Sequence, residues 1–153
     1  MRSLKTSADN RAGFSLMEMI MVVAILAIIL ASGLPTAFNF YLDYQFDSEY
    51  DVTVSALRLA RNLSMVNYNE SNHGVYVGDE EFIIFQGSSY AAREASADRS
   101  YPRASVITIS GPSELVFSAL SGQTASTTYV VSDGRKSRDV YVNTEGLVYE
   151  PNY

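Results

Sequence analysis

Apolar residues follow a continuous pattern near the start of the chain. From Phe14 to Leu34 they form a run of 21 residues in which Glu18 is the only charge. A helix of this length spans about 31 Å, close to the thickness of a bilayer's hydrocarbon core. The run therefore predicts a helix that a membrane or a packed bundle receives.

The helical pattern continues, because neither glycine nor proline lies between Thr36 and Tyr68. Apolar residues at alternating spacings of four and three define one helix face: Val52, Ala56, Leu59, Leu63 and Val66. The positions that would continue this face before Val52 are polar, so we expect only the last third of the helix to pack on a domain. We expect the preceding aromatic residues to project and to serve as an interfacial belt, partial core or subunit contacts: Phe38, Phe40, Tyr41, Tyr44, Phe46 and Tyr50.

Short β-strand patterns replace the helical one after about residue 68. They cover residues 74–77, 81–86, 104–110, 114–119, 127–132, 139–142 and 147–149. Asp133-Gly134 and Glu145-Gly146 mark two hairpin turns, whereas residues 87–103 are polar and predict a surface loop. A long helix followed by an antiparallel sheet indicates an α+β fold.

Charges on either side of the apolar run orient it. Three basic residues precede the run (Arg2, Lys5 and Arg11), and acidic residues follow it from Asp43 onward. This asymmetry predicts a cytoplasmic N-terminus and a domain outside the membrane, beyond about residue 36. A secretory signal peptide cut near residues 31–33 and a plain signal anchor are alternatives. Neither explains Glu18, since a carboxylate within a bilayer costs about 2.5–3.5 kcal/mol.

The segment Gly13-Phe14-Ser15-Leu16-Met17-Glu18 resembles the prepilin signature of the type IV pilin superfamily, which includes type II secretion pseudopilins. The resemblance implies that a prepilin peptidase cuts between Gly13 and Phe14 and methylates the new Phe14 amine. It also implies that Glu18 compensates the N-terminal charge of a neighbouring subunit during assembly. The protein would then be a single-pass cytoplasmic (inner) membrane precursor that becomes a cell-surface or periplasmic filament.

The same resemblance implies the pilin fold and a division of the chain. Residues 1–13 would be the leader, 14–35 the transmembrane or filament-core helix, 36–68 the helix extension and 69–153 the β-rich domain. Many superfamily members carry a proline at the distance of Pro35 from the mature start. Gly33 and Pro35 are therefore candidates for a helix kink, or for the point where the helix leaves the membrane.

Scattered positions in the C-terminal half resemble H-type minor pseudopilins and FimT-like minor pilins. They lie in the segments 56–61, 82–87, 115–117 and 140–143, together with Gly122 and Gly146. The resemblance implies a minor pilin or pseudopilin, and leaves pilus and secretion pseudopilus open. A membrane-anchored extracytoplasmic binding domain and a DNA-binding minor pilin are the alternatives.

Candidate chemistry is sparse. The chain has no cysteine and one histidine, His73, so we expect a structural subunit rather than an enzyme, without cofactor or metal. The net charge is −6, of which the first thirteen residues carry +2 and the remainder −8, which argues against non-specific nucleic-acid binding. The densest basic cluster is Arg135, Lys136 and Arg138, in a predicted hairpin tip; this is the candidate DNA contact. The acidic turn 79–81 is a weak calcium candidate.

Overall fold

The computed structural model describes residues 13–150, apart from the side chains of residues 32–36. The predicted leader therefore lies outside the described residues except for Gly13. The chain divides into two compact units, Met1–Tyr41 and Leu42–Tyr153.

One helix, α1, runs from Leu16–Met65 over 50 residues. It ends slightly before the predicted residue 68 and leads into a short 3-10 turn, Tyr68–Glu70. No glycine terminates it. Instead Asn67, Asn69 and Glu70 adopt left-handed backbone angles with φ of 54°, 53° and 54°. Asparagine tolerates this conformation better than most residues, which explains why an asparagine-rich segment can end the helix.

The second unit contains two four-stranded antiparallel sheets. Their strands are β1 (His73–Val77), β2 (Glu81–Gln86), β3 (Arg99–Pro102), β4 (Thr108–Ser110), β5 (Glu114–Phe117), β6 (Thr127–Ser132), β7 (Ser137–Val142) and β8 (Val148–Tyr149). The first sheet has the order β3-β2-β1-β5, and the second has the order β4-β6-β7-β8. The helix packs on these sheets, so the predicted α+β class is confirmed and is consistent with a pilin fold.

Strands with a clear apolar pattern lie where they were predicted, and a polar edge strand does not. β2 and β6 have the predicted bounds. The segment Arg99–Pro102, which was predicted as loop, forms β3 and pairs with β2 through Phe82 and Tyr101. All four β3 residues are exposed, and Pro102 is acceptable at an edge because its missing N–H need not face the ladder. Because β3 lies at the edge of the sheet and buries none of its residues, its sequence lacks the alternation of apolar and polar residues that identifies a strand.

Both predicted hairpin turns are present. Gly134 links β6 to β7 with φ of 80°, and Gly146 precedes β8 with φ of 74°. The Asp133 N–H donates to the Lys136 carbonyl at 3.2 Å, and the Asn143 N–H donates to the Leu147 carbonyl at 3.1 Å. Glycine adopts positive φ without the Cβ clash that other residues suffer, so it permits these reversals.

The buried face of α1 differs from the predicted one. Its centre is formed by Phe46, Tyr50, Leu57 and Ala60, each at most 2% exposed. Of the predicted stripe, Val52, Leu59 and Leu63 are only partly buried at its side, Ala56 is buried, and Val66 is 72% exposed. Phe46 and Tyr50 therefore belong to the core, as the partial-core alternative predicted, and do not project from the domain. Core packing begins at Phe46, two turns earlier than expected.

Alanine substitutions on α1 should distinguish the observed buried face from the predicted one. We expect Leu57→Ala to lower the free energy of unfolding by about 2–5 kcal/mol, because it opens a cavity in a core where Leu57 is 1% exposed. Val66→Ala should change it by less than about 0.5 kcal/mol, since that side chain lies at the surface. Urea unfolding followed by tyrosine fluorescence measures both. Equal losses for the two variants would contradict the assignment of the buried face.

Candidate functional site

The residues of the predicted cleavage point lie at the start of the described chain. Residues 13–15 precede the helix and are exposed, and Phe14 is 78% exposed. No heavy atom of the described residues lies within 4 Å of the position that a Cβ on Gly13 would occupy. The peptide bond between Gly13 and Phe14 is therefore sterically open. Cleavage and methylation there remain predictions.

Ser15 caps the first turn of α1. Its hydroxyl accepts a hydrogen bond from the Glu18 N–H at 3.2 Å, and its carbonyl accepts one from the Met19 N–H at 3.2 Å. Ser15 and Glu18 have the Ser-x-x-Glu spacing of a capping box, a signal that the sequence analysis missed. Glu18 also lies in the first helical turn, where the helix dipole favours a negative charge.

Glu18 makes no ion pair with any other residue of the described part of the chain. Its assembly role remains a prediction, alongside the helix-stabilising role that its position gives it.

The first half of α1 presents a continuous apolar surface. Twelve large side chains between residues 16 and 30 are 46% exposed or more: Leu16, Met17, Met19, Ile20, Met21, Val22, Val23, Ile25, Leu26, Ile28, Ile29 and Leu30. An apolar surface of this extent marks a site of interaction with another molecule or with lipid.

Within the described residues, no helix has the length and apolarity needed to cross a membrane.

Gly33 and Pro35 lie within the bounds of α1. Both residues belong to the stretch 32–36, for which the structure describes the helix but not the side chains. The predicted kink at these two residues therefore stays a prediction.

The basic cluster lies in the turn between β6 and β7, and α1 provides acids that neutralise it. Arg135 Nη2 and Lys136 Nζ lie 3.0 and 3.2 Å from Asp43 Oδ1. Arg138 Nη2 lies 3.3 Å from Asp47 Oδ1. A DNA phosphate would have to displace these carboxylates. The candidate DNA contact stays a prediction, and its charges are already compensated.

The hairpin supplies a third acid and packs its cations on aromatic rings. Asp133 accepts hydrogen bonds from the backbone N–H groups of Lys136 at 2.7 Å and Arg135 at 2.8 Å. Burial raises the pKa of Asp133, but these bonds and the Arg135 guanidinium outweigh burial and lower it below its usual value. Lys136 Nζ lies 4.4 Å from the Phe46 ring centroid. The cations of the cluster therefore pack against the aromatic rings at the start of the buried helix face.

A buried ion pair joins α1 to the segment that precedes β4. Arg103 Nε lies 3.3 Å from Glu49 Oε1, and both side chains are 6% exposed. The other Glu49 oxygen accepts the Ala104 N–H at 3.1 Å, while Arg103 also donates to the carbonyls of Gly78 and Ile107. Every charged group of the pair is thus satisfied by further hydrogen bonds. The sequence analysis missed this pair because its members lie 54 residues apart.

The remaining titratable groups do not form a chemical site within residues 13–150. No three His, Cys, Asp or Glu side chains of that part of the chain come together as a metal site. In the acidic turn 79–81, Glu81 accepts a hydrogen bond from Ser100, which gives it a structural partner. His73 lies in β1 and is buried, at 3% exposed.

Comparison with known proteins identifies the N-terminal segment. Residues 9–34 match the family model of the prokaryotic N-terminal methylation motif. This motif is the prepilin-type signal of type IV pilins and pseudopilins, a class of structural subunits rather than enzymes. The chain thus carries the signal of a pilin-like precursor, which implies processing by a prepilin peptidase and assembly with other pilins. No curated protein and no solved structure shows a significant match.

The acids that face the basic hairpin should control any affinity it has for DNA. We expect Asp43→Asn with Asp47→Asn to increase low-salt DNA binding and to steepen its salt dependence, because Lys136 and Arg138 lose their carboxylate partners and Arg135 keeps only Asp133. Alanine at Arg135, Lys136 and Arg138 should remove that gain. Fluorescence anisotropy with a labelled duplex, titrated with salt, measures both. Unchanged affinity in the asparagine variant would show that the hairpin does not contact DNA.

Burial of His73 should make stability depend on pH. Burial, followed by the positive charge of Arg99, lowers the pKa of His73, although the Ser71 carbonyl opposes this. Below about pH 6.5 the unfolded chain binds a proton that the folded chain excludes. The free energy of unfolding should therefore fall as pH drops from 7 towards 5.5.

His73→Phe should flatten this pH dependence, since the chain has one histidine and its carboxylates titrate at lower pH. Thermal unfolding at several pH values compares the two proteins. The same slope in both would show that another group titrates.

Proposed function

We propose that this chain is a minor pilin or pseudopilin, cut between Gly13 and Phe14, methylated at the Phe14 amine and assembled into a type IV pilus or a secretion pseudopilus. The observation that carries the proposal is the match to the methylation motif at residues 9–34, a range that includes the exposed Gly13-Phe14 junction before α1. The resemblance of the C-terminal half to H-type minor pseudopilins and FimT-like minor pilins supports the minor role.

Membrane anchorage precedes assembly in this proposal. The prepilin signal suggests a membrane-anchored precursor that later enters a surface filament. The apolar run 14–34 and its flanking charges support an N-terminus inside and a domain outside. On assembly, the exposed apolar surface of residues 16–30 would exchange lipid contacts for contacts with neighbouring helices.

Glu18 gives this assembly its register. Cleavage leaves an ammonium group on Phe14 at the start of an apolar helix, and a filament core desolvates both that ammonium and the Glu18 carboxylate. A buried ion pair adds little net stability, but loss of one partner costs about 3–5 kcal/mol. Subunits would therefore pack where the Phe14 amine of one meets Glu18 of the next. The lack of an ion pair at Glu18 within the described residues is compatible with this role.

Substitution of Glu18 tests the proposal. We expect Glu18→Gln to be cut after Gly13 as efficiently as the parent, because the scissile bond is unchanged, yet to be depleted from filaments at least tenfold, since its charge partner is missing. The measurement is shear fractionation of cells that express a prepilin peptidase and the filament machinery. A gel shift on the same samples reports leader loss.

Ser15→Ala is the matched control, because it removes the helix cap and leaves the Glu18 charge. It should lower helix stability by about 1 kcal/mol and leave incorporation largely intact. Normal incorporation of Glu18→Gln would show that apolar packing alone sets the register. An intact leader in the parent protein would overturn the proposed processing.

A further inference from the structure

A groove of about 430 Å³ lies in the second unit, between the outer side of α1 and the first sheet. Its floor is apolar and is formed by Val52, Ala56, Leu59 and Ile84. Val52 and Leu59 are partly buried, so they retain apolar surface that the domain's own core does not cover. This explains why they resembled a core face in the sequence and yet lie beside the core.

Exposed aromatic and acidic groups border the groove. Tyr44 is 73% exposed and Tyr101 is 36% exposed, and both residues line the groove. Asp47 and Asp51 add negative charge at the rim. Asp47 is held by Arg138, whereas the Asp51 side chain is exposed and makes no ion pair or hydrogen bond with another described residue. An apolar floor with aromatic sides and one free carboxylate favours an apolar group that carries a cation.

The charges of this chain favour a cation from a different protein over one from a second copy. Eight lysine and arginine side chains lie in residues 13–150, and six of them already form ion pairs there: Arg58, Arg93, Arg103, Arg135, Lys136 and Arg138. A second copy would also bring the net charge of −8 that remains beyond the leader, so its surface would be repelled by the rim. Charge complementarity thus favours a heterologous partner.

We propose that this groove is a docking site for a partner protein, and that the occupant is a short segment with aliphatic or aromatic side chains flanked by lysine or arginine. Apolar side chains fill the floor between α1 and Ile84, and the flanking cation pairs with Asp51. The site lies on the domain surface and does not depend on cleavage at Gly13 or on filament assembly.

The probe is a fluorescein-labelled peptide in which two lysines flank a Leu-Phe pair, compared with the same peptide carrying glutamates. The protein is the full chain in lipid nanodiscs, since detergent would compete for an apolar groove. We expect saturable binding of the lysine peptide, measured by anisotropy, and no binding of the glutamate peptide. Asp51→Asn should weaken binding about two- to fivefold, as expected for one exposed ion pair.

Ser55→Trp blocks the groove from an exposed position on α1, and should abolish binding. Asn62→Trp is its control on an exposed helix position outside the groove, and Glu70→Gln is the control for charge. Circular dichroism verifies that each variant is folded. Binding that survives Ser55→Trp, equal binding of both peptides or no binding at all would overturn the proposal. Self-association that Ser55→Trp removes would assign the groove to a second copy instead.

Discussion

The second unit depends on one buried helix face. Phe46, Tyr50 and Leu57 of α1 form a single hydrophobic cluster with inward-facing side chains of both sheets, including Phe117 of the first and Tyr129 of the second. Each side chain of this size contributes about 1.5–3 kcal/mol when it is fully removed from water. Two small sheets could not bury enough apolar surface separately, so the shared helix face makes them one core.

The Glu49–Arg103 pair fixes the position of that face. A buried charge pair with satisfied hydrogen bonds gives little net stability compared with apolar packing, but a misplaced member costs about 3–5 kcal/mol. A slide of α1 by one turn would leave Glu49 desolvated without Arg103 or the Ala104 N–H. Apolar packing therefore holds the helix on the sheets, and the ion pair selects its register.

Local patterns predicted the elements better than the side of the helix that is buried. The α+β class, the long helix, β2, β6 and both glycine turns could be predicted because their signals lie within a few residues. The buried face could not, because Glu49 interrupts the apolar spacing and the arginine that neutralises it lies 54 residues away. The polar edge strand β3 carries no alternation to detect.

Predictability at the candidate sites followed the same rule. The prepilin signature at Gly13, Phe14 and Glu18 is local and was identified from the residues. The Ser15 cap was equally local but was overlooked beside that signature. The acids that neutralise Arg135, Lys136 and Arg138 lie on a helix about 90 residues earlier, so the cluster looked free in the sequence. The sequence shows where the charged residues are, but only the fold shows whether each one is already paired with an opposite charge.

The distribution of charge bears on how such a domain can assemble. Most described cations are used within the domain, so the surface that remains is acidic, with Asp51 and Glu70 among the exposed carboxylates. Copies stacked side by side would bring net charges of −8 together. At physiological salt, exposed charges more than about 8 Å apart are largely screened, so the repulsion comes from carboxylates at closer range. Attraction between copies would then have to come from the apolar helix surface of residues 16–30. Repulsion of this kind opposes side-by-side contact between the acidic surfaces of identical copies.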